Sequence, residues 1–580
     1  MDTAEVAEIL EEIGALLEIK GENPFKCRAY YNGARIVSTL SEDLKTLVDE
    51  NRLGEIKGLG KALQEKLQTL VLEGRLDYYE SLKASIPHGV IQMMQVPGMG
   101  PKKVGQIYRE LAIADIETLE SACRDHKLAA LKGFGKKTED KILQGIEQLR
   151  RYKNLHLYGD VIELAGELVD QLRAHPQVSR ISLAGSLRRK KEVVKDIDLI
   201  ASSNQPETVM KDFVSLQLIE TVTNHGVTKS SVILEGGIQC DLRVVNDEQF
   251  PYALHHFTGS KEHNVVMRQR AIERGMKLSE WGLFQRDEKG ALVRCNDEKE
   301  LFDQLDLDEI SPELRENLGE IEVADRESAE TLPRLLEWTD LQGTFHNHTT
   351  ASDGRNSLAE MAEAAASMGL SYLGISDHSK SSFQANGLSE EQLLQQIREI
   401  HDYNNKQDAI YIFSGVECDI LKDGSLDYED DILRQLDYVI GSVHNSFSLA
   451  ENEMTRRIIK AIENPYITML GHMTGRILLR REAYQVNVSK IIDAAAETGT
   501  WIELNASPQR MDLDWRWWKK ARDSGVKCAI TPDAHRREQL GYIRFGAEIA
   551  RKGWLRKQDV INTLSLDKIK KELRKKSAAA

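Results

Sequence analysis

The chain has 580 residues, of which 41% are hydrophobic and 29% charged, a composition that suits several globular domains and excludes a fibrous or disordered polypeptide. No apolar run reaches the ~18 residues of a membrane span, the leading MDTAEVAEILEEIGALLEIK has no basic region or cleavage site, and the six cysteines (Cys27, Cys123, Cys240, Cys295, Cys418, Cys528) form no C-x-x-C pair. The expectation is a soluble cytoplasmic protein with no membrane partner, no disulfide framework and no thiolate zinc site; its net charge of −15 speaks against a nucleic-acid partner only as an average.

The charge is segregated, and local field decides phosphate binding. Residues 56–153 carry 17 Lys and Arg against 12 Asp and Glu, whereas residues 297–330 carry 14 acids against 3 bases. Over about the first 150 residues, leucines and isoleucines at helical spacing, as in 62–72 and 138–149, predict short amphipathic helices between Gly-containing turns. Three segments repeat one form: IKGLGKALQEKL (56–67), VPGMGPKKVGQIY (96–108) and LKGFGKKTEDKI (131–142). Each runs apolar-x-Gly-apolar-Gly into a helix. Glycine lets the backbone turn tightly and approach a phosphate, and the amides of a helix N-terminus supply donors and a positive dipole. Gly58, Gly60, Gly98, Gly100, Gly133 and Gly135, with Lys102 behind the second pair, are therefore candidate DNA contacts. The repeat resembles helix-hairpin-helix modules that hold DNA without reading its sequence.

From 178 to 245 the pattern turns to β alternation, in ISLAG, DIDLIA, SSVILEGG and QCDLRVV, and predicts a sheet carrying residues on one face. Asp196 and Asp198 are separated by one residue, so both project from the same side of a strand, and Asp241 falls in a second strand. Convergent carboxylates are what a pair of magnesium ions needs to bridge a nucleotide triphosphate and activate a primer hydroxyl. Gly185, Ser186 and Arg189, just upstream, offer amide, hydroxyl and guanidinium groups to phosphates.

The acidic stretch around 306–330 predicts an exposed helical connector. Beyond Gly343, the runs YLGIS, IYIFSGVE, YVIGSVH, ITMLGH, WIELNA and CAITPDAH alternate with helical segments and predict an α/β barrel-like domain. His346 and His348 are expected on one face of its first strand, Asp353 in the following loop, and His378, Glu417, His444, His472, Asp533 and His535 at the ends of later strands. Strand C-termini are where a barrel builds its site. Imidazole and carboxylate without thiolate suit manganese, zinc or iron, which polarise a phosphodiester and generate hydroxide.

The succession GS-x-RR, D-I-D, a later strand aspartate and FTGS-x-x-x-N resembles the family X DNA polymerases. The order H-x-H, D-H, E, H, H, D-x-H over about 341–575 resembles the PHP (polymerase and histidinol phosphatase) domain. The first resemblance implies that Ser186 and Arg189 hold the incoming triphosphate and that Asp196, Asp198 and Asp241 hold metals. It also implies that Phe257, Gly259 and Asn264 line the nucleotide and that Arg268 faces the template minor groove. His256 stands where the eukaryotic enzyme has a tyrosine beside the sugar, and Lys261 replaces an acid near the base. In this family the N-terminal module can carry a lysine that forms a Schiff base with an abasic sugar. Lys66 matches that position and Lys26 and Tyr30 match nearby DNA contacts, whereas Ala62 stands in place of a supporting lysine. The second resemblance fills all nine positions of a trinuclear site, with Asp353 where some members have histidine.

Together the resemblances imply a multidomain chain: an all-α DNA-binding domain at 1–85, a helix-hairpin-helix fingers-like domain at 86–153 and an α+β nucleotidyltransferase palm at 154–250. A thumb-like domain at 251–317, an acidic linker at 318–340 and a distorted β/α barrel, the PHP phosphoesterase, at 341–575 complete it. The expected protein is a monomer that uses dNTPs to fill short gaps in gapped or nicked DNA. Mg2+ or Mn2+ would serve the palm, and an Mn2+, Zn2+ or Fe2+ cluster the 3'-5' exonuclease, with abasic-site cleavage and 3'-phosphate removal as further activities of that cluster. The rivals are a PHP phosphatase with an inactive polymerase-like region and a DNA scaffold with both sites dead; the complete acid and histidine sets argue against each.

Overall fold

The computed structural model describes residues 1, 3–38, 40 and 44–579, which form two compact units, Met1–Lys153 and Asn154–Ala580. The first unit is all helix. Helices α1 (Lys61–Glu73), α2 (Pro101–Leu111) and α3 (Lys136–Tyr152) follow the three glycine loops, and a single 3-10 turn precedes each loop. The sequence repeat is thus a structural repeat. Leu67, Leu70, Val104, Ile107, Ile142 and Ile146 recur three or four residues apart on these helices and are buried in one core.

After an opening helix, Tyr158–Arg173, the second unit builds a five-stranded sheet in the order β1 (Arg180–Leu183), β2 (Asp196–Ser202), β5 (Gln239–Val245), β4 (Lys229–Leu234), β3 (Ile219–His225). Strands β2 and β5 are parallel and every other neighbouring pair is antiparallel. Along β2, Ile197 and Leu199 are buried in a core with Leu168, Val209 and Phe213, and the alternation leaves Asp196 and Asp198 on the opposite face. Helix α4 (Gly185–Arg188) links β1 to the loop before β2. Helices α5 (Phe250–Thr258) and α6 (Lys261–Glu273) and a hairpin, Met276–Ser279 with Gly282–Gln285, follow the sheet.

The C-terminal part is a nearly closed barrel of seven parallel strands in chain order: β6 (Gly343–Thr344), β7 (Tyr372–Ile375), β8 (Tyr411–Asp419), β9 (Tyr438–Ser442), β10 (Met469–Leu470), β11 (Trp501–Asn505) and β12 (Cys528–Thr531). Beyond the first and last strands, Asn347 bridges Ala534. Near the strand starts, the rings of Phe345, Tyr372, Phe413, Tyr438 and Trp501 pack together and plug the interior. Glycines make the room: a Cβ on Gly343 would stand 2.2 Å from the Tyr372 ring and one on Gly415 2.3 Å from Tyr438. With that end filled by apolar rings, the polar groups collect at the other.

Two expectations are corrected. His346 and His348 lie beyond the first strand rather than on it, because β6 ends at Thr344 and His346 turns the chain with φ +58°. The acidic stretch, including 318–340, is not an exposed helical connector. It holds one short helix, Glu320–Ala324, and a few 3-10 turns, and it buries Leu307, Ile310, Leu314, Leu335 and Leu336 together with Glu313 and Glu320. Its acids meet partners distant in sequence: Glu313 pairs with Arg551 and Glu316 with Lys552 at 2.7 Å, while Glu320 is hydrogen-bonded to His263 Nδ1 at 2.8 Å, an imidazole whose pKa burial lowers. Without such partners, burying these carboxylates would cost several kcal/mol each. Among the described residues, no helix is long and apolar enough to cross a membrane.

Candidate active sites and metal centres

At Gly185 the chain turns with φ +59°, so tightly that a Cβ would stand 2.2 Å from Asp198 Oδ2. Glycine removes that clash, so the backbone of the GS turn passes close by the carboxylate. The parallel register sets Asp198 directly beside Asp241 and Asp196 beside Gln239, so all three acids share one site. Burial, then the charges of Asp196 and Asp241, push the Asp198 carboxyl up to about 6. Asp196 is raised for the same reasons, burial first and then Asp241. Asp241 goes the other way: burial would raise it, but Lys229 at 2.7 Å and hydrogen bonds from Ser231 and Gln239 hold it below the ordinary range. Crowded carboxylates of this kind fit a divalent cation, which relieves the repulsion that now favours a proton on Asp198.

The structure brings Arg189 to Gly259, where a Cβ would stand 3.1 Å from the guanidinium. Arg189 Nε donates to Glu316 Oε1 at 3.1 Å and its Nη1 to the Thr258 carbonyl. Phe257 lies under the Arg243 guanidinium at 4.3 Å and edge-on to His256 at 4.9 Å, while Asn264 Nδ2 donates to the His256 carbonyl at 2.7 Å. Ser186 lies in the first turn of α4; Lys261 and Arg268 both lie on α6, exposed and half-buried respectively.

In the barrel, all nine residues singled out in the sequence converge. Four overlapping groups each place their ligand atoms within 4.8 Å of one another: His348, Asp353, His378 and His535; His346, Glu417 and His472; His346, His348 and Asp533; His378, Glu417 and His444. Glu417 joins them. Its Oε1 is 3.3, 2.9 and 3.1 Å from the Nε2 atoms of His346, His472 and His444, and its Oε2 is 2.9 Å from His378 Nδ1. Asp533 Oδ1 lies 3.3 Å from His348 Nε2, and Asp353 Oδ1 3.4 Å from His535 Nε2.

Two observations test whether these residues fit metal ions. Buried ring nitrogens of His346, His348, His378 and His472 have no hydrogen-bond partner of acceptable geometry, a costly state that coordination would resolve. The field also favours cations. Burial opposes charge on His444, yet Glu417 and Asp419 outweigh it and raise the imidazole to about 10. His535 rises to about 9 against burial, through Asp353 and Asp533. His348, buried and crowded by His535 and His378, falls to about 4 and so presents neutral nitrogens.

In the N-terminal unit the first glycine of each loop has a similar left-handed φ, +94° at Gly58, +84° at Gly98 and +89° at Gly133. The second glycine of each pair, Gly60, Gly100 or Gly135, is the extended N-cap of α1, α2 or α3, and no side chain caps any of the three helices. The amides of Lys61 and Ala62, of Lys102 and Lys103 behind Pro101, and of Lys136 and Lys137 therefore face the loop without a side-chain acceptor and can serve an anion. A Cβ on Gly98, Gly100, Gly133 or Gly135 would meet nothing within 4 Å, so these loops are open to a ligand. Lys66 lines a cleft of about 460 Å³ with Lys26, Tyr30, Lys61, Ala62 and Tyr78, its Nζ 5.1 Å over the Tyr78 ring.

A helix-hairpin-helix domain model matches residues 1–76, a SAM-like helix-hairpin-helix tandem 90–148, the DNA polymerase beta thumb 253–316 and the PHP domain 344–507. The DNA polymerase/3'-5' exonuclease PolX of Bacillus subtilis (strain 168) is 38% identical over 577 residues, spanning 99% of this chain and 100% of the relative. The chain belongs to the bacterial family X DNA polymerases that carry a PHP domain. A probable phosphatase of Thermoanaerobacter sp. (strain X514) is 30% identical over 242 residues, 40% of this chain and 94% of its own.

In this family X polymerase, the residues missed in the sequence are those that orient the histidines. Glu503 on β11 accepts from His346 Nδ1, from the His472 amide and from Thr531 Oγ1. Asp419, at the end of β8, pairs with His444 Nδ1 at 3.0 Å. Asp377 accepts from the Thr349 amide at 2.8 Å and hydroxyl at 2.7 Å, fixing the loop between His348 and Asp353. Such partners set the tautomer and direction of an imidazole. Their signal was present: an acid inside an apolar strand, in WIELN and GVECD, has to be paired.

Proposed function

We propose that this DNA-directed DNA polymerase and 3'-5' exonuclease fills short gaps during DNA repair, adding nucleotides at Asp196, Asp198 and Asp241 and removing 3' ends at the histidine cluster. The observation that carries the polymerase assignment is the register of β2 on β5, which puts Asp198 abreast of Asp241 beneath the Gly185 turn. Both chemistries depend on divalent cations. Mg2+ or Mn2+ held by the three aspartates, and Mn2+, Zn2+ or Fe2+ held by the nine barrel residues, supply Lewis-acid polarisation of phosphate oxygens and a nucleophile of lowered pKa.

The chain's own groups do the rest. Ser186, the Gly185 turn amides and Arg189 bind the triphosphate of the incoming dNTP, while Phe257, Gly259 and Asn264 hold its sugar and base. The primer 3' hydroxyl, positioned beside Asp241 and Asp198, attacks the α-phosphate in line and pyrophosphate leaves. In the barrel, Glu503, Asp419 and Asp377 keep His346, His444 and the His348–Asp353 loop in place, so the nine ligands are set before substrate arrives. Primer extension on gapped and ungapped duplexes, each with Mg2+ and with Mn2+, tests this reading. Metal-dependent extension, faster on gapped DNA, is expected; no extension with either ion would overturn it.

DNA is held through its backbone by the glycine loops. Gly98→Val combined with Gly100→Val forces a β-branched residue into a left-handed conformation and covers the free amides of α2. Titration of labelled duplexes is expected to show affinity falling about tenfold for every sequence alike. Unchanged affinity in a variant of unaltered melting temperature would remove these loops from the interface.

A further inference from the structure

We infer that Lys552, a residue of the PHP domain, positions the triphosphate-binding Arg189 of the polymerase site. Lys552 ends helix α7 (Ile543–Lys552), which packs against β12, and its side chain is 0% exposed. A buried ammonium must satisfy three donors. Here all three are used: Nζ donates to Glu316 Oε1 at 2.7 Å, to the Arg189 carbonyl at 2.9 Å and to the Glu313 carbonyl at 3.3 Å. The Trp515 ring covers it at 4.4 Å. The same Glu316 oxygen accepts from Arg189 Nε at 3.1 Å, and its other oxygen lies 3.7 Å from Lys191 Nζ.

The neighbouring residues are anchored in the same way. Lys190 pairs with Glu548 of α7, and Glu192 accepts from Trp515 Nε1 at 3.0 Å. Every residue from Arg189 to Glu192 therefore meets a group of the PHP domain or the Glu316 carboxylate that Lys552 holds, in the loop that leads to Asp196 and Asp198. The chemistry gives the direction of the effect. Glu316 competes with a nucleotide triphosphate for the Arg189 guanidinium. With Lys552 present, the charge of Glu316 is shared among Arg189, Lys191 and Lys552; without it, the carboxylate holds Arg189 more tightly and the Arg189 backbone loses its anchor. Lys552 is a positioning residue: it is bonded to Arg189, Glu313 and Glu316 and to none of the three aspartates or the nine barrel residues.

The inference rests on Arg189 as a triphosphate ligand, and the test separates the two. In the full-length protein, Lys552→Met is expected to raise KM for the dNTP in single-nucleotide gap filling about 5- to 50-fold, with kcat and 3'-5' degradation within about twofold. Lys552→Met with Glu316→Gln removes both buried charges and frees the Arg189 guanidinium, though not its backbone anchor, and lowers KM by about threefold or more from that of the single variant. Lys552→Gln, which keeps two donors, reads the same way should the methionine variant not fold. Arg189→Ala is the reference: an unchanged KM there sinks the assignment of Arg189 itself. A raised KM in Arg189→Ala beside an unchanged KM in the Lys552 variant overturns the role of Lys552, as does a double variant no better than the single one.

Discussion

Replacing Asp198 with alanine is expected to lower gap filling on the order of a thousandfold or more, with removal of 3' ends unchanged. Asp198 is the most deeply set of the three carboxylates, abreast of Asp241 and under the Gly185 turn, and its carboxyl already sits at about 6 through burial and the neighbouring aspartates. Removing it takes away the group through which a cation would link the primer hydroxyl to the triphosphate. It also relieves repulsion, so the variant should be no less stable than its parent. Extension of a labelled primer, with a melting curve on the same sample, checks both points; extension at the parental rate would contradict the site.

The second large effect is expected at Glu417. Four imidazoles lie within 3.3 Å of its two oxygens, so Glu417→Gln keeps the shape but withdraws the one anion they share. The His444 imidazolium form loses its main support and that of His346 keeps Glu503 but loses Glu417, and every metal position that uses Glu417 loses a charged ligand. Degradation from the 3' end should fall on the order of a thousandfold, and the metal content of the purified protein should drop. Gap filling should persist. Retained degradation with parental metal content would show that the cluster does not perform it.

What was legible in the sequence was what local spacing encodes. Asp196 and Asp198 share a face because a strand repeats every two residues, and the three glycine loops reappear as loops because glycine alone takes the left-handed φ they need. Most of the nine barrel residues could be read because they stand at or near the ends of apolar runs that predict buried strands, with Asp353 in the loop after the first. What failed depended on partners remote in sequence. Glu313, Glu316 and Glu320 look like the acids of a solvated connector until Arg551, Lys552 and His263 are placed beside them. His346 looks like a strand residue, since nothing in TFHNH announces that the strand stops at Thr344 and the chain turns. Glu503 and Asp419 are inconspicuous in the sequence because the imidazoles they orient, His346 and His444, come from other strands.

The two candidate sites, the three palm aspartates and the nine barrel residues, lie in one compact unit, joined by the Lys552 and Glu192 contacts, yet have no residue in common. The most direct test of the account is to assay gap filling and 3'-5' degradation side by side on one labelled gapped duplex with the parent, Asp198→Ala and Glu417→Gln proteins, each verified by its melting temperature. The account predicts a double dissociation: the aspartate variant loses gap filling alone and the glutamate variant loses degradation alone. Loss of both activities from either single change in a folded protein would contradict it and require one shared or interdependent centre.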